Sequence, residues 1–361
     1  FYQAHSSLSH LGGISAERNH VARLKRVLEQ IPHPDGKLHI CHALARELEA
    51  LGEYQEAFAY LESAKSAKRQ ALGYSFEHDK ALFAGIRAQF ERPNTLNEPY
   101  VSEHSDKSYS DSAPIFVVGM PRSGTTLIER VLTNHKSVKS IGERQEFGIA
   151  FKALANTPSR FILDLETLAT VKNLDLAELG KRYIASLQSV IEPNQRFVDK
   201  MPLNVLYGGL IAQSLPKAKT ICVVRNPMDT VWGNYKQLFS LNDPYYNYAY
   251  EQRSIASYYS EFVSLAAFWQ NLYPEQFKIV SYDEFVKAPE KVGKEIVTFC
   301  GLDYNEDMLD ITKNRSAVAT ASSVQVRSAI NTKSLGQWRR YETWLAPALN
   351  VFNELGIAQD V

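Results

Sequence analysis

Hydrophobic positions in the first part of the chain recur at three- and four-residue spacing, the period of an amphipathic helix. Val21, Leu24, Val27, Leu28 and Ile31 form one such face, with Ser15 placed to cap it, and the run HPDG at 33–36 breaks it. A second helix is predicted from about Leu38 to Leu51 and a third from about Tyr54 to Leu72, an antiparallel pair separated at Gly52. Residues 92–113 are rich in Ser, Asp, Asn and Pro and have no apolar period, as expected of a linker or surface strap. Beyond them the pattern changes. Short β-rich runs, IFVVG at 115–119, RFVD at 196–199, KTICVV at 219–224 and FKIVSY at 277–282, alternate with long helical stretches. That alternation predicts the α/β class, a parallel sheet flanked by helices.

The stretch ALARELEALGEYQEAFAYLESAKSAKR resembles one tetratricopeptide repeat, with Leu51-Gly52, Tyr54, Ala57 and Tyr60 at its small and aromatic positions; a plain helical hairpin would read the same way. One repeat cannot bury both of its faces, so it is expected to stack on the preceding helix and on any repeats upstream. The expected organisation is a helical segment over 1–90, a linker or strap over 91–113 and an α/β domain over 114–361.

Composition narrows the function. The 40 basic and 40 acidic residues cancel, leaving no global field for nucleic acid or an anionic membrane, so neither partner is expected and any anion site is local. Cys41, Cys222 and Cys300 lie far apart without CxxC spacing, which fits neither a disulfide framework nor a zinc site and points to a reducing, cytoplasmic compartment. No apolar run of about 18 residues spans a bilayer, and no signal-peptide pattern opens the chain. Residue 1 is Phe, so an upstream signal or further repeats stay open.

Directly after the first predicted strand comes GMPRSGTTLIERVL, a Gly-rich turn running into an amphipathic helix. The backbone N–H groups of such a loop and first helical turn have no intrahelical partners, and the helix dipole adds partial positive charge, which together suit phosphate. Gly119 and Gly124 permit close backbone approach, Ser123 sits inside the turn, and Thr125 and Thr126 add hydroxyl donors. The Walker A pattern is close, but its Lys position holds Thr125 and the loop cation is Arg122.

PRSGTT after a buried strand resembles the 5′-phosphosulfate loop of the sulfotransferase family, particularly the tyrosylprotein and tetratricopeptide-linked bacterial branches. The resemblance runs from about 114 to 342 and implies a P-loop-like, doubly wound parallel sheet carrying 3′-phosphoadenosine 5′-phosphosulfate (PAPS) at its carboxyl edge. It also implies 3′,5′-adenosine bisphosphate as product and no metal, since one sulfuryl group carries less charge than a triphosphate tail. The segment KTICVVRNPMDTVWGNYKQLF resembles the family's 3′-phosphate motif, in which Arg225 offers a planar fork to phosphate. The sequence departs from that motif at Gly233, where the family has Ser, so Asn234 or backbone donors would have to assist Arg225.

For catalysis, Glu143 in SIGERQEF stands at the offset of the base in tyrosylprotein-type sulfotransferases, with Glu146 as the near alternative and a salt bridge to Arg144 as the plain reading. Lys200 in RFVDKMPLN matches a family Lys between donor phosphate and transferring sulfate, and Asp199 is placed to orient Lys200 or Arg122. SSVQVRSAINTKSLGQWRRYE resembles the family's closing segment, making Ser323, Arg327, Lys333 and Trp338 second-rank donor-site candidates; Trp338 could equally pack the last helix. The aromatic stretch from Phe239 to Phe262 could line an acceptor channel or stiffen a lid. The acceptor is open among a peptide tyrosine, a saccharide and a small metabolite. The repeat hints at a peptide or protein partner, and repeats also serve oligomerisation. Two rivals remain: a P-loop kinase or NTPase, which Thr125 argues against, and a repeat scaffold with a decayed transferase domain, which Gly233 favours and the joint presence of Arg122, Thr125, Thr126, Glu143, Lys200 and Arg225 opposes.

Overall fold

Five short strands, β1 (Ile115–Gly119), β2 (Val138–Gly142), β3 (Arg196–Asp199), β4 (Lys219–Val224) and β5 (Phe277–Ser281), form one sheet in the order β2-β3-β1-β4-β5. Every neighbouring pair is parallel. The structure is a computed structural model describing residues 2–91, 113–192, 195–314 and 328–359.

Fifteen helices accompany the strands among the described residues: α1 (Tyr2–His10), α2 (Val21–Gln30), α3 (Pro34–Leu51), α4 (Tyr54–Leu72), α5 (Phe76–Phe90), α6 (Thr125–Thr133), α7 (Glu146–Ala155), α8 (Leu165–Ala169), α9 (Leu176–Ser186), α10 (Gly208–Ser214), α11 (Pro227–Tyr235), α12 (Gln252–Leu272), α13 (Tyr282–Lys287), α14 (Pro289–Phe299) and α15 (Ala346–Glu354). They divide into two compact units. One comprises Phe1–Glu77, Pro227–Ser260 and Leu335–Val361, the other His78–Asn226 and Glu261–Ser334.

The second unit holds the sheet. Ile115, Phe116, Val117 and Val118 of β1 are wholly buried, as a central strand covered on both faces must be. Strand order reverses at β1: the chain runs out to β2 and back through β3 on one side, then to β4 and β5 on the other. All five strands point the same way, so every strand-to-loop exit lies on one carboxyl edge, and a crevice at such a switch point is where open α/β sheets bind ligands. Four of the strands follow the β-rich runs of the sequence. β2 does not: Val138 is buried but Lys139 is exposed, so the edge strand VKSIG lacks the apolar run that marks the others. The glycines Gly208 and Gly209 let backbone lie against Trp269 and Phe90, where a Cβ would come within 2.6 Å of either ring.

The first unit is helical. α3 and α4 form the predicted pair, joined through Gly52 in the left-handed conformation (φ 86°), which ends α3 and lets its N–H return to Glu49 and Leu48. α1 and α2 pack on α3, with Leu24 of α2 buried. Ser15 does not cap α2, which begins six residues later at Val21; its hydroxyl instead accepts from Arg18 N–H at 3.2 Å in a local turn. α3 starts at Pro34, where a fixed φ suits the first helical position, with His33 Nδ1 accepting from Asp35 N–H as its cap. The unit's core is aromatic: Phe58 stacks against Trp232, Tyr235 and Trp344, and Trp232 on Tyr341 at 3.8 Å. Most of the 239–262 aromatics also serve packing, with Tyr248 stacked on Tyr258 at 4.0 Å and Tyr259 edge-on to Phe352. Lys65 is the surprise here. It is 1% exposed, and its ammonium donates to Ala249 O at 3.0 Å and Gln237 O at 3.3 Å between the rings of Tyr235 and Tyr250.

Candidate active site at the carboxyl edge of the sheet

Each of the four strands β1 to β4 delivers one predicted group to this edge. β1 leads into the loop Met120–Gly124 and then α6, β2 into Glu143, β3 into Lys200 and β4 into Arg225. A parallel sheet is what makes this convergence possible, because residues scattered over a hundred positions all follow strand ends on the same side.

The loop is built for close approach. A Cβ on Gly119 would sit 2.6 Å from Val223 O and 2.8 Å from Ser123 Oγ, and one on Gly124, whose φ is +104°, would sit 2.2 Å from the Tyr282 ring. Arg122 also takes a left-handed backbone (φ 67°), unusual for a residue with a Cβ and found where a turn is held by its surroundings. Ser123, Thr125 and Thr126 are buried. Ser123 Oγ has no hydrogen-bond partner, so the loop encloses an unsatisfied polar group that an anionic oxygen would satisfy.

Arg225 is tied to the same loop. Its guanidinium donates to Arg122 O at 3.3 Å and to Ser334 O, and lies 4.8 Å over the Tyr282 ring, whose hydroxyl meets Ser334 Oγ at 2.7 Å. Asn226 N–H donates to the buried Asp283 at 2.8 Å, fixing the turn after β4. Tyr282 and Ser334 escaped the sequence reading: a Tyr opening α13 carries no motif of its own, and its role comes only from packing on Gly124 and Arg225.

Glu143 pairs with Lys200 rather than with Arg144. Arg144 instead bonds Glu146 at 2.6 Å and Ile141 O at 3.1 Å, which occupies the alternative carboxylate. The Glu143 side chain keeps 42% of its surface exposed while Lys200 keeps 1%, so the carboxylate faces outward from a buried ammonium. Lys200 is also 3.8 Å from Glu129 of α6, and Ser140 Oγ donates to that carboxylate at 2.5 Å. Burial pushes the Glu129 carboxyl above its ordinary range, opposed by Lys200 and Ser140.

Asp199 turns away from both cations it was placed to orient. Fully buried, it accepts from Tyr183 Oη at 2.7 Å and from Asn204 at 3.5 Å, and burial pushes its carboxyl up to about 7. Asn234 is wholly buried, with its amide donating to Thr230 O at 2.9 Å and its oxygen accepting from Tyr248 Oη at 3.1 Å. Gly233 lies in the last turn of α11. Lys333 is exposed, with its backbone N–H on Asn331 Oδ1. Trp338 is buried at 3% exposure, and its N–H bonds Asp229. Ser323 and Arg327 lie outside the described residues.

Arg122, the loop amides and its three hydroxyls, Lys200 with Glu143, and Arg225 thus all follow strand ends on one edge of the sheet. Such a set can hold a phosphorylated, sulfated or other polyanionic group and remove a proton from a hydroxyl brought beside it. Among the described residues no group of His, Cys, Asp and Glu is disposed to hold a metal ion, and no helix is long and apolar enough to cross a membrane. All three cysteines are free and buried.

An uncharacterized protein of Aquifex aeolicus is 30% identical over 317 residues, covering 86% of this chain, while this chain spans only 41% of that protein's length. Protein-tyrosine sulfotransferase 1 of Danio rerio is 22% identical over 281 residues, covering 73% of this chain and 74% of its own. Among solved structures, the sulfotransferase domain from the curacin biosynthetic pathway aligns at a TM-score of 0.40 with 18% identity, covering 68% of this chain and 97% of that domain. The model of the sulfotransferase family matches residues 114–306, more than half of the chain and the stretch bearing the loop, Glu143, Lys200 and Arg225; the chain belongs to the sulfotransferase family.

Proposed function

We propose that this chain transfers a sulfuryl group from PAPS to an acceptor hydroxyl, releasing 3′,5′-adenosine bisphosphate. One observation carries the reading: a phosphate-type loop with an unsatisfied buried hydroxyl, Ser123, lies on the same sheet edge as a buried Lys200 bonded to a half-exposed Glu143. The chain's residues fit the donor. The amides of 122–126, Ser123, Thr125 and Thr126 would hold its 5′-phosphosulfate, with Arg122 as counter-charge, and Arg225 would take the 3′-phosphate in place of the carbonyls it now binds.

Glu143 takes the proton of the acceptor hydroxyl, whose oxygen forms the new bond to sulfur as the sulfur–oxygen bond to the 5′-phosphate breaks. Lys200 meets the charge that then gathers on the departing phosphate oxygen. No metal has a part in this scheme. A peptide tyrosine is the acceptor class best supported, since the relative from Danio rerio is named for that activity. The α1–α4 helices are read as a tetratricopeptide-like segment preceding the sulfotransferase domain over 114–361, suited to a peptide or protein partner. The bacterial branch is supported by the Aquifex relative, and a cytoplasmic setting by three free buried cysteines.

The test uses sulfur-35-labelled PAPS with tyrosine peptides, saccharides and small phenols as acceptors. Glu143→Gln is expected to lose transfer by at least about 100-fold while keeping bisphosphate binding. Wild-type turnover in that variant would contradict Glu143 as the base.

A further inference from the structure

Lys200 has two carboxylates within reach, and only one of them can meet an acceptor. Glu143 is the half-exposed one. Glu129, on α6 just past the loop threonines, keeps 11% of its side chain exposed, lies 3.8 Å from the ammonium and is fixed from the other side by Ser140 Oγ. Ser140 Oγ also accepts from Gly142 N–H at 3.0 Å, so the carboxylate is anchored to the turn that carries Glu143.

A base bonded to Lys200 must loosen that bond to take a proton from an acceptor. If Glu143 were the sole partner, its departure would strand an ammonium that is 1% exposed, and an uncompensated buried charge is strongly unfavourable. A second carboxylate in place removes the obstacle. We propose that Glu129 is a positioning residue, the standing counter-ion that holds Lys200 in place while Glu143 turns to the acceptor. This rests on reading Glu143 as the base and Lys200 as the donor-site cation. Burial pushes the Glu129 carboxyl up, and Lys200 is the largest of the influences that oppose the rise.

Thermal melting with and without 3′,5′-adenosine bisphosphate tests it in five proteins: wild type, Glu129→Gln, Glu143→Gln, the double variant, and the double variant carrying Lys200→Met. Each single variant should melt within about 3 °C of wild type, because one counter-ion remains. The double variant should melt at least about 6 °C below the sum of the single effects, or fail to fold, and Lys200→Met should restore it by removing the charge. A merely structural role for Glu129 would not produce a further result. In the double variant the ligand's phosphate becomes the counter-charge of Lys200, so bisphosphate should raise its melting temperature more than it raises wild type's, and that excess should vanish with Lys200→Met. Additive losses, or a double variant that Lys200→Met does not restore, overturn the proposal. A wild type that ignores bisphosphate would instead overturn the sulfotransferase reading, while the melting cycle still decides the role of Glu129.

Discussion

Asp229 and Gly336 are hydrogen-bonded across more than a hundred residues of chain. The Asp229 carboxylate, in the first turn of α11, accepts from Gly336 N–H at 2.7 Å and from Trp338 N–H at 3.3 Å. Gly336 takes the left-handed conformation (φ 67°), which turns both amides toward one carboxylate. The acid is 3% exposed, so Asp229→Ala leaves the buried Trp338 N–H and the part-buried Gly336 N–H without this acceptor and should cost about 2–3 kcal/mol in urea unfolding. A loss under about 0.5 kcal/mol would mean that this strut is not what holds the Gly-x-Trp turn.

The loop hydroxyl makes a prediction of opposite signs. Ser123 Oγ is buried and unsatisfied, so Ser123→Ala should leave the ligand-free protein as stable as wild type or slightly more so, by thermal melting. The same change should weaken bisphosphate binding by about tenfold through the lost hydrogen bond to an anionic oxygen. Parallel losses in both quantities would contradict the view that the hydroxyl waits for a ligand.

Much of this site is legible from spacing. The loop PRSGTT, Lys200 after RFVD and Arg225 after KTICVV stand out because each follows an apolar run that folds as a strand, and a parallel sheet then brings strand ends together. Glu143 follows a strand that has no such run, so its place came from the resemblance and not from periodicity. Glu129 and Tyr282 were hidden for another reason. A carboxylate in TTLIERVL is indistinguishable from a solvated helix residue until the sheet places Lys200 beside it, and Tyr282 acquires meaning only where Gly124 lacks a side chain. Proximity in sequence to a motif does not fix where a side chain turns, and Asp199 and Asn234 each meet a tyrosine hydroxyl in the core.

Asp199 should leave a mark on the pH dependence of stability. Its carboxyl is pushed up to about 7 by burial, with Glu146 and Glu129 adding to the shift and Tyr183 and Arg144 opposing it. The folded state therefore binds a proton that the unfolded chain, titrating near 3.8, has released. Stability from this group is present below about pH 4 and is lost as pH rises toward 7. Asp199→Asn should flatten that fall in urea midpoints between pH 4 and 7 while keeping a partner for Tyr183. An unchanged slope would place the ionisation elsewhere.

Lys65 works in the other direction. Burial lowers its ammonium to about 7 from an ordinary 10.5, so the unfolded chain holds the proton more tightly across that interval. Stability from this group is present at the alkaline end and is lost as pH falls through about 7. Lys65→Met should remove the corresponding rise in melting temperature from pH 7 to 9, read as the difference from wild type. Equal slopes in the two proteins would contradict a neutralised Lys65.

The central claim is a donor site for a 3′-phosphorylated nucleotide, and titration calorimetry of the purified chain with 3′,5′-adenosine bisphosphate, AMP and ATP tests it most directly. The account predicts bisphosphate binding at least about tenfold tighter than either control, and a loss of at least about tenfold in Arg225→Ala confined to the bisphosphate. ATP binding as tightly as the bisphosphate, or no binding of any of the three, would contradict it.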